Sequence, residues 1–172
     1  MRFVPIKTVE QQAMLSVHRA RQGFIKARTA QANQIRGLLS ELGIVIPQSI
    51  QSIGKCMPDI LEDAENGLPA TMRQLPGKLN DHLKELDRQV DELELPIKLW
   101  HKESEASQRL EAIPGVGPIT ASAIVATVGN ATEFKGSRQL AAWPGLVPKQ
   151  HASAGKQLLL GISKRGDTYA PC

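Results

Sequence analysis

The sequence predicts a mainly α protein. A long antiparallel helical hairpin or coiled coil spans residues 1–107, and a small domain containing a helix-hairpin-helix spans 108–172. Three observations carry this. Residues 8–42 repeat apolar side chains at three- and four-residue steps. Residues 70–109 carry a heptad pattern. The stretch RLEAIPGVGPITASAIVATVG sets Pro114, Gly115, Gly117 and Pro118 between two apolar runs.

The first segment reads as one helix. Thr8 is its expected N-cap. Ala13, Val17, Ala20, Phe24, Ala27, Ile35, Leu38 and Leu42 recur as its apolar face, and Gly43 and Pro47 stop it. Arg19, Arg21, Lys26, Arg28 and Arg36 are expected on the exposed side, either as a solvated face or as a polyanion-binding one. Residues 44–70 read as an irregular connection with one short helix near 59–66. Its Asp59, Glu62 and Asp63 resemble a metal-carboxylate set and equally fit the acids of a helix's first turn.

In the second long helix Met72, Leu79, Leu86, Leu93 and Trp100 fall every seven residues, and Leu83, Val90 and Ile97 follow three of them by four. This alternation is a coiled-coil seam, although a plain amphipathic core helix has the same pattern. Glu85, Asp87, Asp91, Glu92 and Glu94 form an acidic outer face. Its partner is either the Arg-bearing helix of the same chain or a second subunit. Pro96 is expected to kink or split the helix.

The Pro/Gly stretch has Leu110, Ile113, Gly115, Val116, Gly117 and Ala121 in the helix-hairpin-helix pattern. A first helix ends near Ile113, and a second starts near Pro118, which suits a first helical position. The glycines permit backbone conformations and close approach denied to larger residues. Amides at the turn and helix start, over Gly115, Val116, Gly117, Ile119 and Thr120, are then placed to bind phosphates without reading bases. The other reading is a turn used only for packing. Beyond it, Phe134, Leu140, Ala141, Trp143 and Leu146 form a packing set. Lys135, Arg138, Lys149, Lys156, Lys164 and Arg165 add positive charge for a nucleic-acid backbone. Small and polar residues over 150–156 read as an open loop holding Ser153, with His151 and Lys156 nearby. That serine is either an ordinary loop residue or a nucleophile.

Bulk properties agree with this division. The net charge of +4 is unevenly spread: residues 1–36 hold seven Lys/Arg and one acid, residues 37–105 seven and thirteen, residues 106–172 seven and three. The two cysteines, Cys56 and Cys172, have no metal-ligand spacing and read as reduced thiols. No apolar run approaches the roughly 20 residues of a membrane span, and the start lacks an apolar signal core. A cytoplasmic chain with no membrane partner is expected.

The opening MRFVPIKTVEQQAMLSVHRARQGFIKARTAQANQIRGLLSELGIVIP, the run IPGVGPITASAIVATVG and the segment FKGSRQLAAWPGLVPKQHASAGKQLLLGISKRGDTY resemble insertion-sequence transposases of the IS-one-ten type, related to the Piv invertases. The resemblance runs over the middle and C-terminal parts of such a transposase. It implies an N-terminal RuvC-like domain with an acidic, magnesium-holding tetrad; Met1 falls just after where that domain should end, so the domain is expected to be absent here and the tetrad maps to no residue of this chain. It also implies a coiled coil and a C-terminal transposase domain whose serine attacks DNA and becomes joined to it. The family's serine stretch often reads His-Ser-Ser-Gly-Gly-Lys. Here it reads His151-Ala152-Ser153-Ala154-Gly155-Lys156, which makes Ser153 the expected catalytic residue. Family members multimerise, and some are directed by a structured RNA of their own element. The chain, ending at Ala170-Pro171-Cys172, is expected to be a truncated copy. It should bind DNA and self-associate through the coiled coil, with no metal or other cofactor of its own, magnesium belonging to an intact relative. Whole, such a protein would transpose DNA by strand cleavage and rejoining; alone, this chain should be inactive. The alternative is a non-catalytic helix-hairpin-helix regulatory module forming mixed multimers.

Overall fold

The first helix, α1 (Val9–Ser40), begins where a side-chain cap is available. The Thr8 Oγ1 accepts the Gln11 amide at 3.1 Å, and the Gln11 Oε1 accepts the Thr8 amide at 3.0 Å. This reciprocal capping box satisfies two amides that the helix cannot bond itself. At the other end Gly43 takes φ +81, so Ile44 donates to the Leu39 carbonyl at 3.0 Å and Gly43 to that of Ser40 at 3.0 Å. That closure is a Schellman motif and uses the left-handed conformation glycine tolerates. The computed structural model describes residues 7–129, Gly136, Gln139, and the backbone of 148–153 and 156–162.

The remaining elements are α2 (Ile50–Glu62), α3 (Ala70–Glu103), α4 (Glu105–Glu111), α5 (Pro118–Val128), β1 (Pro148–Ser153) and β2 (Lys156–Ile162). The protein is mainly helical, as expected. The chain forms two compact units, one of Ala20–Glu94 and one of Met1–Arg19 with Leu95–Cys172.

In the unit Ala20–Glu94, α1 and α3 run antiparallel and α2 packs on them. The core joins Ala32, Ile35 and Leu39 of α1, Ile46, Ile53 and Met57 around α2, and Leu83 of α3. The expected short helix at 59–66 is instead the longer α2, which starts earlier. Ile50, Ile53, Met57 and Ile60 supply its helical periodicity, and it tolerates Gly54 and Pro58. Asp59 and Glu62 thus fall in the last turn, not the first. Among the described residues no three His, Cys, Asp or Glu side chains form a metal-sized group. Arg73 closes this helix from α3, donating to the carbonyls of Leu61 at 3.0 Å and Asp63 at 2.8 Å, while Asn66 donates to that of Ile60 at 2.6 Å. These side chains satisfy carbonyls that a helix end leaves open.

Half of the heptad positions of α3 are buried within one chain, namely Leu83, Leu86, Val90 and Ile97, while Met72, Leu79, Leu93 and Trp100 are half-buried. Pro96 does not split α3, which continues to Glu103. The register of α1 differs from expectation. Ala13, Ala20 and Ala27 are exposed, whereas Met14, His18, Arg21, Ile25, Arg28, Ala32, Ile35 and Leu39 form the buried and half-buried stripe. Two of the arginines expected outside therefore face α3. Arg21 donates to Glu94 through Nη2 at 2.6 Å and Nε at 3.2 Å, each side chain only 19% exposed. Arg28 reaches Asp87 at 2.9 Å. Arg36 donates to the carbonyls of Pro47, at 3.2 Å, and Gln48, tying down the approach to α2.

In the other unit, Met14 and Leu15 of α1, Ile97 of α3 and Ala126 of α5 share a core, with Val17, Trp100 and Ile119 against it. The Trp100 indole donates to Glu10 at 2.8 Å. α4 packs on α5. No helix among the described residues is long and apolar enough to cross a membrane.

Candidate nucleic-acid interface

The α4–α5 connection is built from short-range bonds. Ser104 caps α4 through its side chain, which accepts the Ser107 amide at 3.3 Å. After α4 the Ile113 amide donates to the Leu110 carbonyl at 3.1 Å, and Val116 to Ile113 at 3.0 Å. Gly115, between those bonds, sits at φ +89, where a side chain would strain the backbone. Gly117, the N-cap of α5, has φ −89 and ψ 174, an extended conformation open to any residue. A Cβ built there would meet nothing within 4 Å. The two glycines thus differ: the turn itself needs Gly115, while at Gly117 the small residue keeps open space beside a helix start.

Pro118 occupies the first turn of α5, as the sequence predicts. The first amide bonded back along the helix is that of Ala121, to the Gly117 carbonyl at 2.9 Å. The amides of Ile119 and Thr120 precede that ladder, at the end of α5 where the helix dipole is positive. No acidic side chain lies in this first turn. Of the five expected phosphate-facing positions, Val116 departs from the reading because its amide is spent inside the turn. Gly115 and Gly117 are exposed, and Ile119 and Thr120 are half-buried.

The segment behind this turn is rigidly braced. His101, at the end of α3, is within 2.9 Å of Glu111 Oε2 through Nε2 and within 2.7 Å of Ser107 Oγ through Nδ1. A carboxylate only accepts, so Nε2 carries a proton; in the neutral ring Nδ1 then accepts from the serine. His18 of α1 is within 3.2 Å of the Ser122 Oγ on α5, and that hydroxyl lies 3.0 Å from the Ile119 carbonyl it donates to. Ala121, Ser122, Ala123 and Ala126 are buried, small side chains that let α5 approach its neighbours closely. Next to Pro118 a cleft of about 490 Å³ is lined by Lys98, His101, Lys102, Gln108 and Glu111. Sequence reasoning missed these lysines, because they lie on the acidic helix α3 and only folding brings them to the start of α5.

The remaining expected residues divide. Lys135, Arg138, Lys164 and Arg165 lie outside the described residues, as does the packing set around Trp143. Lys149 and Ser153 lie on β1 and Lys156 on β2, which pair antiparallel with Ser153 opposite Lys156 and His151 opposite Leu158. The open loop expected over 150–156 is therefore replaced, in its described part, by paired strands. β1 has none of the β-branched residues that mark a strand in sequence. The pairing comes from a partner segment, Lys156–Ile162, with its own apolar run.

Residues 107–170 match the model of the family described as Transposase IS116/IS110/IS902. The chain is 44% identical over 170 residues to a probable family 20 transposase of Pseudomonas aeruginosa, covering 98% of this chain and 50% of that protein. It is 42% identical over 167 residues to the transposase for insertion sequence element IS1111A of Coxiella burnetii, covering 97% and 46%. The pilin gene-inverting protein of Moraxella bovis is 29% identical over 87 residues, covering 49% and 26%. The chain spans about half the length of the first two relatives. Across its helical units and the α4–α5 turn alike the chain is thus similar to about half of two transposases, and its residues 107–170 match the IS116/IS110/IS902 transposase model.

Proposed function

We propose that the chain is the DNA-engaging and strand-joining half of a transposase. In this reading the α4–α5 turn works as a helix-hairpin-helix and holds a DNA backbone without reading its sequence. The observation that carries it is the start of α5: amides ahead of the helical ladder beside Gly117, whose missing side chain leaves open space. Phosphate oxygens suit such a site, since they accept from amides and complement the helix dipole. Lys135, Arg138, Lys149, Lys156, Lys164 and Arg165 would add long-range attraction. Ser153 would attack the DNA in the context of a whole transposase, and this chain alone would not transpose.

Among the described residues no three His, Cys, Asp or Glu side chains form a set that could hold the magnesium that the resemblance implies. Self-association, which the heptads suggested, would need a surface other than the seam that α1 covers. Leu95 and Leu99, each 61% exposed, are apolar side chains that α3 leaves open. A structured RNA would meet the same phosphate-binding surface as DNA.

Titration of labelled duplex DNA with the 172-residue chain tests the reading. If about 4 phosphates are neutralised, log affinity falls against log salt with a slope near −3.6. Gly117→Val should weaken binding about tenfold while the helical circular dichroism signal is retained. A slope near zero, or unchanged binding by Gly117→Val, removes the turn as a backbone site.

A further inference from the structure

The register of the β1–β2 hairpin brings together residues that sequence spacing alone leaves unrelated. Ser153 is paired with Lys156 and His151 with Leu158. Directly opposed residues of an antiparallel pair share a face, and residues two apart on one strand share it too. His151, Ser153 and Lys156 therefore occupy one face of the hairpin, with Leu158 beside them. Gln150, Ala152, Gln157 and Leu159 occupy the other. Opposed positions lie roughly 5 Å apart at Cβ. Positions two apart on a strand lie roughly 7 Å apart.

A hydroxyl is a weak nucleophile without a base, and phosphoryl transfer needs positive charge for its equatorial oxygens. This face carries one group for each task. A neutral imidazole can take a proton. A lysine ammonium supplies positive charge that suits the developing oxyanion. From this juxtaposition we infer that His151 is the general base for Ser153 and that Lys156 stabilises the transition state, so that the hairpin itself activates the serine. The inference rests on the reading of Ser153 as the nucleophile.

In the step, the Ser153 O–H proton passes to the His151 ring as the Oγ–phosphorus bond forms. The bond from phosphorus to one strand end breaks. The leaving oxygen takes the proton back from the imidazolium and departs as a hydroxyl. The product is a serine phosphodiester, with no change of oxidation state.

A fluorophosphonate reagent tests this on the chain by itself, since it reports serine activation without requiring transposition. Attack forms the Oγ–phosphorus bond and releases fluoride, with His151 accepting the proton. Mass spectrometry should place the label on Ser153, with a rate that rises with pH through one midpoint and no label in Ser153→Ala. His151→Ala should slow labelling by about 100-fold or more and abolish the pH midpoint. Added imidazole should restore part of the rate, which separates lost basicity from a disturbed hairpin. Lys156→Ala should slow labelling about tenfold without moving the midpoint, and Lys156→Arg should recover most of it. Ser153 labelled equally well, with the same pH profile, in His151→Ala overturns the base assignment and leaves the nucleophile standing. Labelling of Ser163 in place of Ser153 overturns the nucleophile itself. A wild-type chain that takes no label at any serine overturns the claim that the hairpin activates its serine.

Discussion

Two regions hold the polar groups that a reader of the sequence would assign to DNA, and they treat them in opposite ways. In the unit Ala20–Glu94, arginines of α1 turn inward: Arg21 is held by Glu94, Arg28 by Asp87, and Arg36 by main-chain carbonyls. At the α4–α5 turn the backbone does the reverse, leaving amides of Ile119 and Thr120 ahead of the helical ladder beside an exposed glycine. Three of the five bases of α1 are thus held by the fold, while a segment of almost neutral composition carries the proposed anion site. On that proposal, net charge by region ranks these two surfaces in the wrong order.

The sharpest way to break this comparison is to damage the α1–α3 seam. Leu86 is 5% exposed within one chain, so Leu86→Asp should lose at least about 4 kcal/mol and with it the cooperative thermal transition. If a second subunit covered the seam instead, sedimentation would show dissociation with helix content preserved. Arg21→Ala should come next, at about 1–3 kcal/mol, because it takes a guanidinium away from a half-buried Glu94 carboxylate. Adding Glu94→Ala should return part of that loss in a denaturant cycle. At the turn, Gly115→Ala should cost about 1–2 kcal/mol through its positive φ. Gly117→Ser should cost nothing measurable, since serine is a good N-cap and its Cβ meets open space.

The smallest effect concerns the solvent side of α3. Hydrogen bonds from Arg88 and then Gln89 hold the Glu85 carboxyl well below its usual range, lowered to about 2. A depressed carboxylate favours the fold above its unfolded value of 4.5, and that contribution fades as pH falls toward 2. The Glu85 side chain is 41% exposed and its charge is screened by solvent, so Arg88→Ala should return the titration midpoint seen by NMR toward 4.5 and leave the melting temperature nearly unchanged.

Much of the helical layout was legible. Thr8 and Gly43 bracket α1 because capping and helix termination are local and use few residue types. The α3 heptad was legible because its seam residues are Leu, Val and Ile, whose burial is their default. The α1 face was misread for a physical reason: His18, Arg21 and Arg28 join the inner stripe only because partners on other elements satisfy them. A hydropathy pattern cannot register a charge neutralised 73 residues away. α2 was shortened because Gly54 and Pro58 look like breaks, although Ile53 and Met57 are fully buried. At the candidate site the glycines were read correctly as a turn, yet their division of labour depends on φ values. The strand pairing at Ser153 was hidden because register is a relation between two segments, and neither shows it by itself.

Met14 and Leu15 lie near the start of the chain, and part of the core they enter, Ala126, lies near the far end of the described helices. During synthesis this leaves the first turns of α1 waiting. At about 5–20 residues per second, Ala126 follows Met14 out of the ribosome only after on the order of 5 to 20 seconds. The unit Ala20–Glu94 is continuous in sequence and can form within that interval. The unit that carries the α4–α5 turn cannot assemble until its late residues arrive. An interrupted translation product would then hold a finished helical unit while its apolar Met14 and Leu15 remained uncovered, a ready substrate for chaperones and proteases. The order of synthesis thus makes the candidate DNA-holding turn the last part of the described helical chain to be completed.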